Sequence, residues 1–210
     1  KQENVFYYTT LLNENYPRPG LQPGTEDDII RGMYLLKPAQ GGAQGQVQLL
    51  GSGTILRESL AAQELLASEW GVAANVWSCP SFNELARDGQ DCERWNLLHP
   101  TEAPRESFVS RQLGQHAGPV VASTDYMKVF ADQIRPFIPQ GRPYKVLGTD
   151  GFGRSDFRSK LRRHFELNRH YIVVAALKAL SEAGTVPVAK VAEAIARYGI
   201  KTDRVNPLYA

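Results

Sequence analysis

Two glycine-flanked turns carry the residue types that could hold a phosphate or a metal, and neither completes the pattern its chemistry needs. Gly51-Ser-Gly53 follows an apolar run and precedes a helical one, where the free backbone N–H groups of a helix start suit an anion. A dinucleotide fingerprint would need a third glycine where Leu56 stands, and a Walker loop would need a lysine that does not follow. A tight structural turn is the stronger reading. The second turn is Thr149-Asp-Gly-Phe-Gly-Arg-Ser-Asp156. A magnesium–diphosphate loop of the Gly-Asp-Gly type, with an asparagine pair downstream, gives a hard cation its oxygen ligands. Here Thr149 replaces the first glycine and Asn168 has no asparagine neighbour. Gly151 and Gly153 therefore read as backbone-geometry residues, Ser155 or Asp156 as the cap of a basic helix, and Arg154 as an interdomain anchor.

The remaining chemistry-bearing residues are clustered but not patterned. Glu84, Arg87, Asp88, Asp91, Glu93 and Arg94 lie in one polar stretch, residues 83–100. They could be catalytic carboxylates with charge partners, but dense alternation of sign is the mark of a solvated or interfacial face. Arg158, Lys160, Arg162, Arg163, His164, Arg169 and His170 make a locally basic region. Without an aromatic stacking platform it reads as another such face rather than a nucleic-acid site. His99, His116, His164 and His170 show no metal spacing, and no serine sits in a nucleophile elbow.

The elements that position these residues follow from periodicity. Val47 to Leu50 is a strand-length apolar run, after which Ile55, Ser59, Ala62, Leu66 and Trp70 form one helical stripe, with Arg57, Glu58, Glu64 and Ser68 off it. Gly71 caps that helix, and Asn75 to Cys79 is the next strand, parallel to the first across a right-handed crossover. Residues 118–124 and 144–148 supply third and fourth parallel strands. Between them a helix carries Tyr126, Phe130, Gln133, Ile134 and Phe137 on one side, capped by Thr124 or Asp125. Residues 32–36 form a strand that a short connection should pair antiparallel with the next one. Residues 83–100 read as two short helices broken at Gly89, with Cys92, Trp95 and Leu98 sharing a face. Helices starting near Tyr171 and Val188 close the chain. Val5 to Leu12 alternates like a strand, but residues 13–24 hold the prolines and glycines of a linker that cuts it off.

Composition excludes several classes. With 42% hydrophobic and 22% charged residues in 210, a core needing no staples is expected. The net charge of +2, from 24 basic and 22 acidic residues, provides no long-range field for nucleic acid or an acidic membrane. Cys79 and Cys92 are the two cysteines, which points to a reducing cytoplasm rather than a disulfide framework. No apolar run reaches the roughly 20 residues of a membrane span. The chain starts at Lys1 without methionine, as a fragment of something longer would.

Phe6-Tyr-Tyr, Leu11-Leu-Asn-Glu-Asn-Tyr16, Val47-Gln-Leu-Leu-Gly-Ser-Gly53, Ser81-Phe, Glu84-Leu-Ala-Arg-Asp-Gly-Gln-Asp-Cys-Glu-Arg-Trp-Asn96 and Gly148-Thr-Asp-Gly-Phe-Gly-Arg-Ser-Asp156 together resemble the C-terminal region of the bacterial homodimeric pyruvate dehydrogenases, of the transketolase-like superfamily. The resemblance implies a three-layer α/β/α fold with a mixed, mostly parallel five-stranded sheet over residues 25–210. Residues 1–24 would be the end of a preceding pyrimidine domain and a linker. It implies a cytoplasmic parent oxidoreductase that uses thiamin diphosphate and magnesium to decarboxylate pyruvate and acetylate a lipoyl group. Its implied partners are the remaining domains of the parent chain, a second copy, and the dihydrolipoyl acetyltransferase component. No catalytic, cofactor or metal residue of that family maps here, so this segment alone should be inactive. Its expected role is interdomain packing and dimer support, through Glu84, Arg87, Asp88, Asp91, Arg94, Trp95, Asp150, Phe152 and Arg154. The alternative is an independent module binding a small ligand or partner at the carboxyl-end loops near Gly51 and Asp150.

Overall fold

Val47 and Leu49 enter one hydrophobic core and Leu50 the other, all fully buried, so the strand that carries them has to lie inside a sheet covered on both faces. The computed structural model describes residues 3–9, 15–17 and 19–210. Its strands are β1 (Tyr34–Lys37), β2 (Gln46–Gly51), β3 (Ala73–Ser78), β4 (Val120–Ser123) and β5 (Tyr144–Leu147). They form one five-stranded sheet in the order β1-β3-β2-β4-β5, parallel except for β1. The helices are α1 (Glu26–Arg31), α2 (Leu56–Trp70), α3 (Phe82–Leu98), α4 (Phe108–Gly114), α5 (Lys128–Asp132), α6 (Arg158–His164), α7 (Arg169–Glu182) and α8 (Val188–Arg197).

The sheet separates two cores, which makes the expected three layers. Val47, Leu49, Val76 and Val121 meet α2 and α7, with α8 packed outside α7; Leu50, Trp77, Val120 and Ala122 meet α3, α4 and α5. On α2 the expected stripe is the buried one: Ser59, Ala62, Leu66 and Trp70 all face inward, and Ile55 joins them from the 3-10 turn before the helix. Burying Ile55 and Leu66 contributes about 1.5–3 kcal/mol each. Gly71, at φ 62°, closes α2 in the left-handed region where a side chain would be strained.

Several local expectations are corrected. Strand β1 is antiparallel, but to β3 rather than to β2; β2 is already paired on both sides, so the free edge lies beside β3. Residues 82–98 are one helix, not two. Gly89 does not break α3; it admits the Phe137 ring, whose carbons would lie 2.4 Å from a Cβ there. Ser81 caps α3 by accepting from the Glu84 N–H at 3.1 Å. The helix after β4 is only five residues, followed by a 3-10 turn at Arg135–Phe137, because Pro136 cannot continue it. Ile134 and Phe137 of the expected face are buried, whereas Tyr126 and Phe130 are exposed. Neither Ser155 nor Asp156 is the N-cap of α6; Phe157 holds that position, and Asp156 accepts from its N–H instead. Val5 to Thr9 form no strand, and Phe6, Tyr7 and Tyr8 find no cover; Thr10 to Leu12 lie outside the described residues.

Candidate functional site

Because four strands are parallel, their carboxyl ends share one edge, and both glycine turns lie on it. There Ser52 Oγ donates to Thr124 Oγ1 at 2.8 Å, Ser52 N–H to the Ser123 carbonyl at 3.1 Å, and Thr54 Oγ1 to Asp125 Oδ2 at 3.2 Å. The Ser59 and Ser123 hydroxyls, 2.9 Å apart, tie α2 to β4 beneath the turn. A Cβ on Gly53 would lie 2.7 Å from Asp125 Oδ1. This chain's own carboxylate thus stands against the helix start, where it complements the helix dipole and would repel a phosphate.

Asp150 is also committed. Its Oδ1 accepts from the Lys128 backbone N–H at 3.1 Å, and its Oδ2 lies 3.5 Å from Lys128 Nζ. It caps α5 from the neighbouring loop, the role expected of Thr124 or Asp125. Thr124 instead accepts from the Tyr126 N–H at 3.2 Å. Beside Asp150 the edge becomes apolar and open: Tyr126, Met127, Val129 and Phe130 are exposed, and Phe152 is 76% exposed. Arg154 is exposed in the same loop.

The other candidates lie along α3, which starts at this edge, where Gln133 donates to Asn83 Oδ1 at 2.6 Å, and then runs away from it. Glu84 accepts from Arg87 at 2.9 Å. Asp88 accepts from the Phe108 N–H at 2.6 Å and so positions the start of α4. Trp95 stacks on His99 with ring centroids 3.5 Å apart, and the Arg105 guanidinium lies 3.4 Å from its ring. Asp91 and Arg94 are exposed. Glu84 and Arg87 thus lie on the first turns of α3, nearer this edge, and Trp95 on the later ones.

Two polar clusters escaped the sequence reading. Glu58, taken to lie off the buried stripe, is 4% exposed. Its carboxylate accepts from Arg162 Nη1 at 2.9 Å and from Arg169 N, Nε and Nη2 at 2.9, 3.0 and 3.2 Å. Burial opposes its ionisation, but the Arg169 bonds and the Arg169 and Arg162 charges outweigh it and hold the carboxyl below the ordinary value of 4.5. Spacing held a signal: Glu58 stands three residues after Ile55 and four before Ala62, and both are buried. Glu58 also forms part of the wall of a cleft of about 890 Å³ with Tyr16, Arg57, Asp125 and Tyr126. The second cluster is Gln48, fully buried within the apolar run. Its Oε1 accepts from Asn75 Nδ2 and Trp77 Nε1, both at 2.9 Å, while its Nε2 donates to the Ala117 carbonyl at 2.7 Å. These bonds satisfy a buried amide, and the cluster ends at His116, whose Nδ1 lies 3.2 Å from Asn75 Nδ2. Among the described residues, no three His, Cys, Asp or Glu side chains are grouped to hold a metal ion.

The Transketolase-like TK C-terminal domain family matches residues 32–168. The chain is 56% identical over 208 residues to the pyruvate dehydrogenase E1 component of Pseudomonas aeruginosa, and 53% identical over 210 residues to that of Escherichia coli. It spans about a quarter of the length of these relatives, 24% and 23%, while 99% and 100% of its own length is matched. The solved transketolase of Campylobacter jejuni superposes on 72% of this chain and 19% of its own at 20% identity, with a TM-score of 0.48. With its family-matched strands in a mixed, mostly parallel sheet between two helical layers, this chain belongs to the transketolase-like C-terminal domain family.

Proposed function

We propose that this domain is a noncatalytic packing module of a longer cytoplasmic enzyme. That enzyme decarboxylates pyruvate with thiamin diphosphate and magnesium, and passes the two-carbon unit to a lipoyl group of a dihydrolipoyl acetyltransferase. The residues of this chain do not fit the cofactor: the Asp125 carboxylate stands against the Gly53 turn, where it would repel a diphosphate, and Asp150 is bonded to Lys128. Cofactor and metal are therefore assigned to other domains of the parent chain. Residues 25–210 make up the packing domain, and residues 1–24 the end of the preceding domain and the linker. The observation that carries the reading is the open apolar rim of Tyr126, Met127, Val129, Phe130 and Phe152. An exposed patch of this kind at the binding edge of a parallel sheet marks an interface, here with the pyrimidine domain or with the second copy of a homodimer. No helix among the described residues is long and apolar enough to cross a membrane.

The test compares release of carbon dioxide from pyruvate, with thiamin diphosphate and magnesium present, by this chain alone and by the longer polypeptide containing it. The chain alone should release none. The longer enzyme should lose activity at least about tenfold in the Tyr126→Asp, Phe152→Asp double variant, with its dimer loosened in sedimentation. Turnover by the chain alone, or an unaffected double variant, would overturn the proposal.

A further inference from the structure

A second concavity lies where α6, the first turn of α7 and the segment after α8 converge. It encloses about 330 Å³ and is lined by Lys160, Arg163, His164, Tyr171, Lys201 and Arg204. Four of these are cations and none is acidic, in a chain whose net charge is only +2. The positive charge is poorly offset. Lys160 pairs with Asp156 at 3.6 Å, with both side chains exposed, an arrangement that neutralises little. Glu166 acts on the Tyr171 phenol but does not line the concavity. Arg163, Lys201 and Arg204 have no ion pair among the described residues. The neighbouring Arg162 and Arg169, by contrast, converge on the Glu58 carboxylate.

The two guanidinium groups are also held in place. Arg204 Nη1 donates to the Arg163 carbonyl at 2.9 Å, and Arg163 Nη2 to the Gly199 carbonyl at 3.4 Å. A carbonyl fixes a guanidinium without cancelling its charge, and each fork keeps further N–H donors for another acceptor. Cations brought together and fixed in this way repel one another until an anion enters. One arginine satisfies a carboxylate, whereas four cations approaching from two segments, α6 and the stretch after α8, suit a group with several oxygens and two charges.

We propose that this concavity binds the phosphoryl group of a small phosphomonoester or diphosphate, with Arg163 and Arg204 as forked donors and Lys160 and Lys201 as point charges. The site shares no residue with the apolar rim and does not depend on the function proposed above. Calorimetric titration of the 210-residue chain with inorganic phosphate, pyrophosphate and acetate at low ionic strength tests it. Pyrophosphate should bind saturably at one site per chain and more tightly than phosphate, while acetate should give no saturable heat. Lys201→Gln, which removes a side chain with no ion pair among the described residues, should weaken pyrophosphate about fivefold. The Arg163→Gln, Arg204→Gln double variant should abolish binding, and the remote Lys190→Gln should leave it unchanged. The proposal fails if pyrophosphate gives no saturable heat, if Lys201→Gln binds it as tightly as the parent chain, or if acetate binds equally well.

Discussion

Gly51-Ser-Gly53 and Gly151-Phe-Gly153 each pair two glycines around one residue near the end of a parallel strand, and the fold uses them in opposite ways. The first turns inward: the Ser52 N–H and hydroxyl are bonded to Ser123 at the end of β4 and to Thr124 just after it, and Asp125 occupies the space a Gly53 side chain would need. The second turns outward, with Phe152 76% exposed, although a Cβ on Gly151 would still meet the Pro207 carbonyl oxygen at 2.2 Å. In both, glycine marks a close approach. What approaches is decided by which strand lies beside the turn: interior β2 has β4 next to it, while β5 is an edge strand.

The tie between the helices that follow the two turns offers the largest effect. Glu58 on α2 holds Arg162 on α6 and Arg169 on α7. Glu58→Ala should destabilise the chain by about 3 kcal/mol in urea unfolding, since it leaves two arginines without their anion. The pH dependence has a definite sign. The folded carboxyl titrates below 4.5, so its stabilisation is complete above that pH and fades as pH falls through the lower folded value. Glu58→Gln should flatten this part of the stability–pH curve, and an unchanged curve would remove Glu58 from the account.

Filling the inward turn comes next. Gly53→Val places a branched side chain at φ 53° and against Asp125, which should cost about 2 kcal/mol. Adding Asp125→Ala should recover part of that loss by removing the clash but not the backbone strain; full recovery would mean that strain plays no part. A smaller effect is expected at the outward loop, where Asp150→Ala removes the cap of α5 and should lower stability by about 1 kcal/mol. Asp150→Asn, which keeps an acceptor oxygen, should lower it less. The smallest belongs to Phe152→Ser, within about 0.5 kcal/mol in the chain alone because the ring is largely in water. A larger loss in the isolated chain would mean that the outward turn supports this fold rather than an interface.

Much of the framework was legible because it depends on local patterns. The apolar runs at Val47–Leu50 and Asn75–Cys79, the α2 stripe, and the order of parallel strands and helices can be read from residue spacing, and the structure has them. Helix ends and breaks were less legible. Gly89 looked like a stop because the ring that requires a glycine there, Phe137, is 48 residues away in sequence. Asp150 did not look like the cap of α5 because a cap borrowed from another loop has no fixed spacing. The candidate site divides in the same way: the motifs of residues 83–98 and 148–156 were visible, but not that Asp88 is bonded to α4 or that Phe152 is left in solvent.

By itself, then, the sequence determined the layered α/β class and the membership of its motifs, since both rest on periodicities and strings carried by neighbouring residues. Tertiary structure decided that β1 pairs with β3, that Glu58 is buried against two arginines, that Asp125 stands against the first turn, and that four cations surround one concavity. Each of these joins groups from segments far apart in the chain. Their energies depend on burial, on the distance between charges and on which strand edge is left unpaired, and none of these quantities exists before the layers pack.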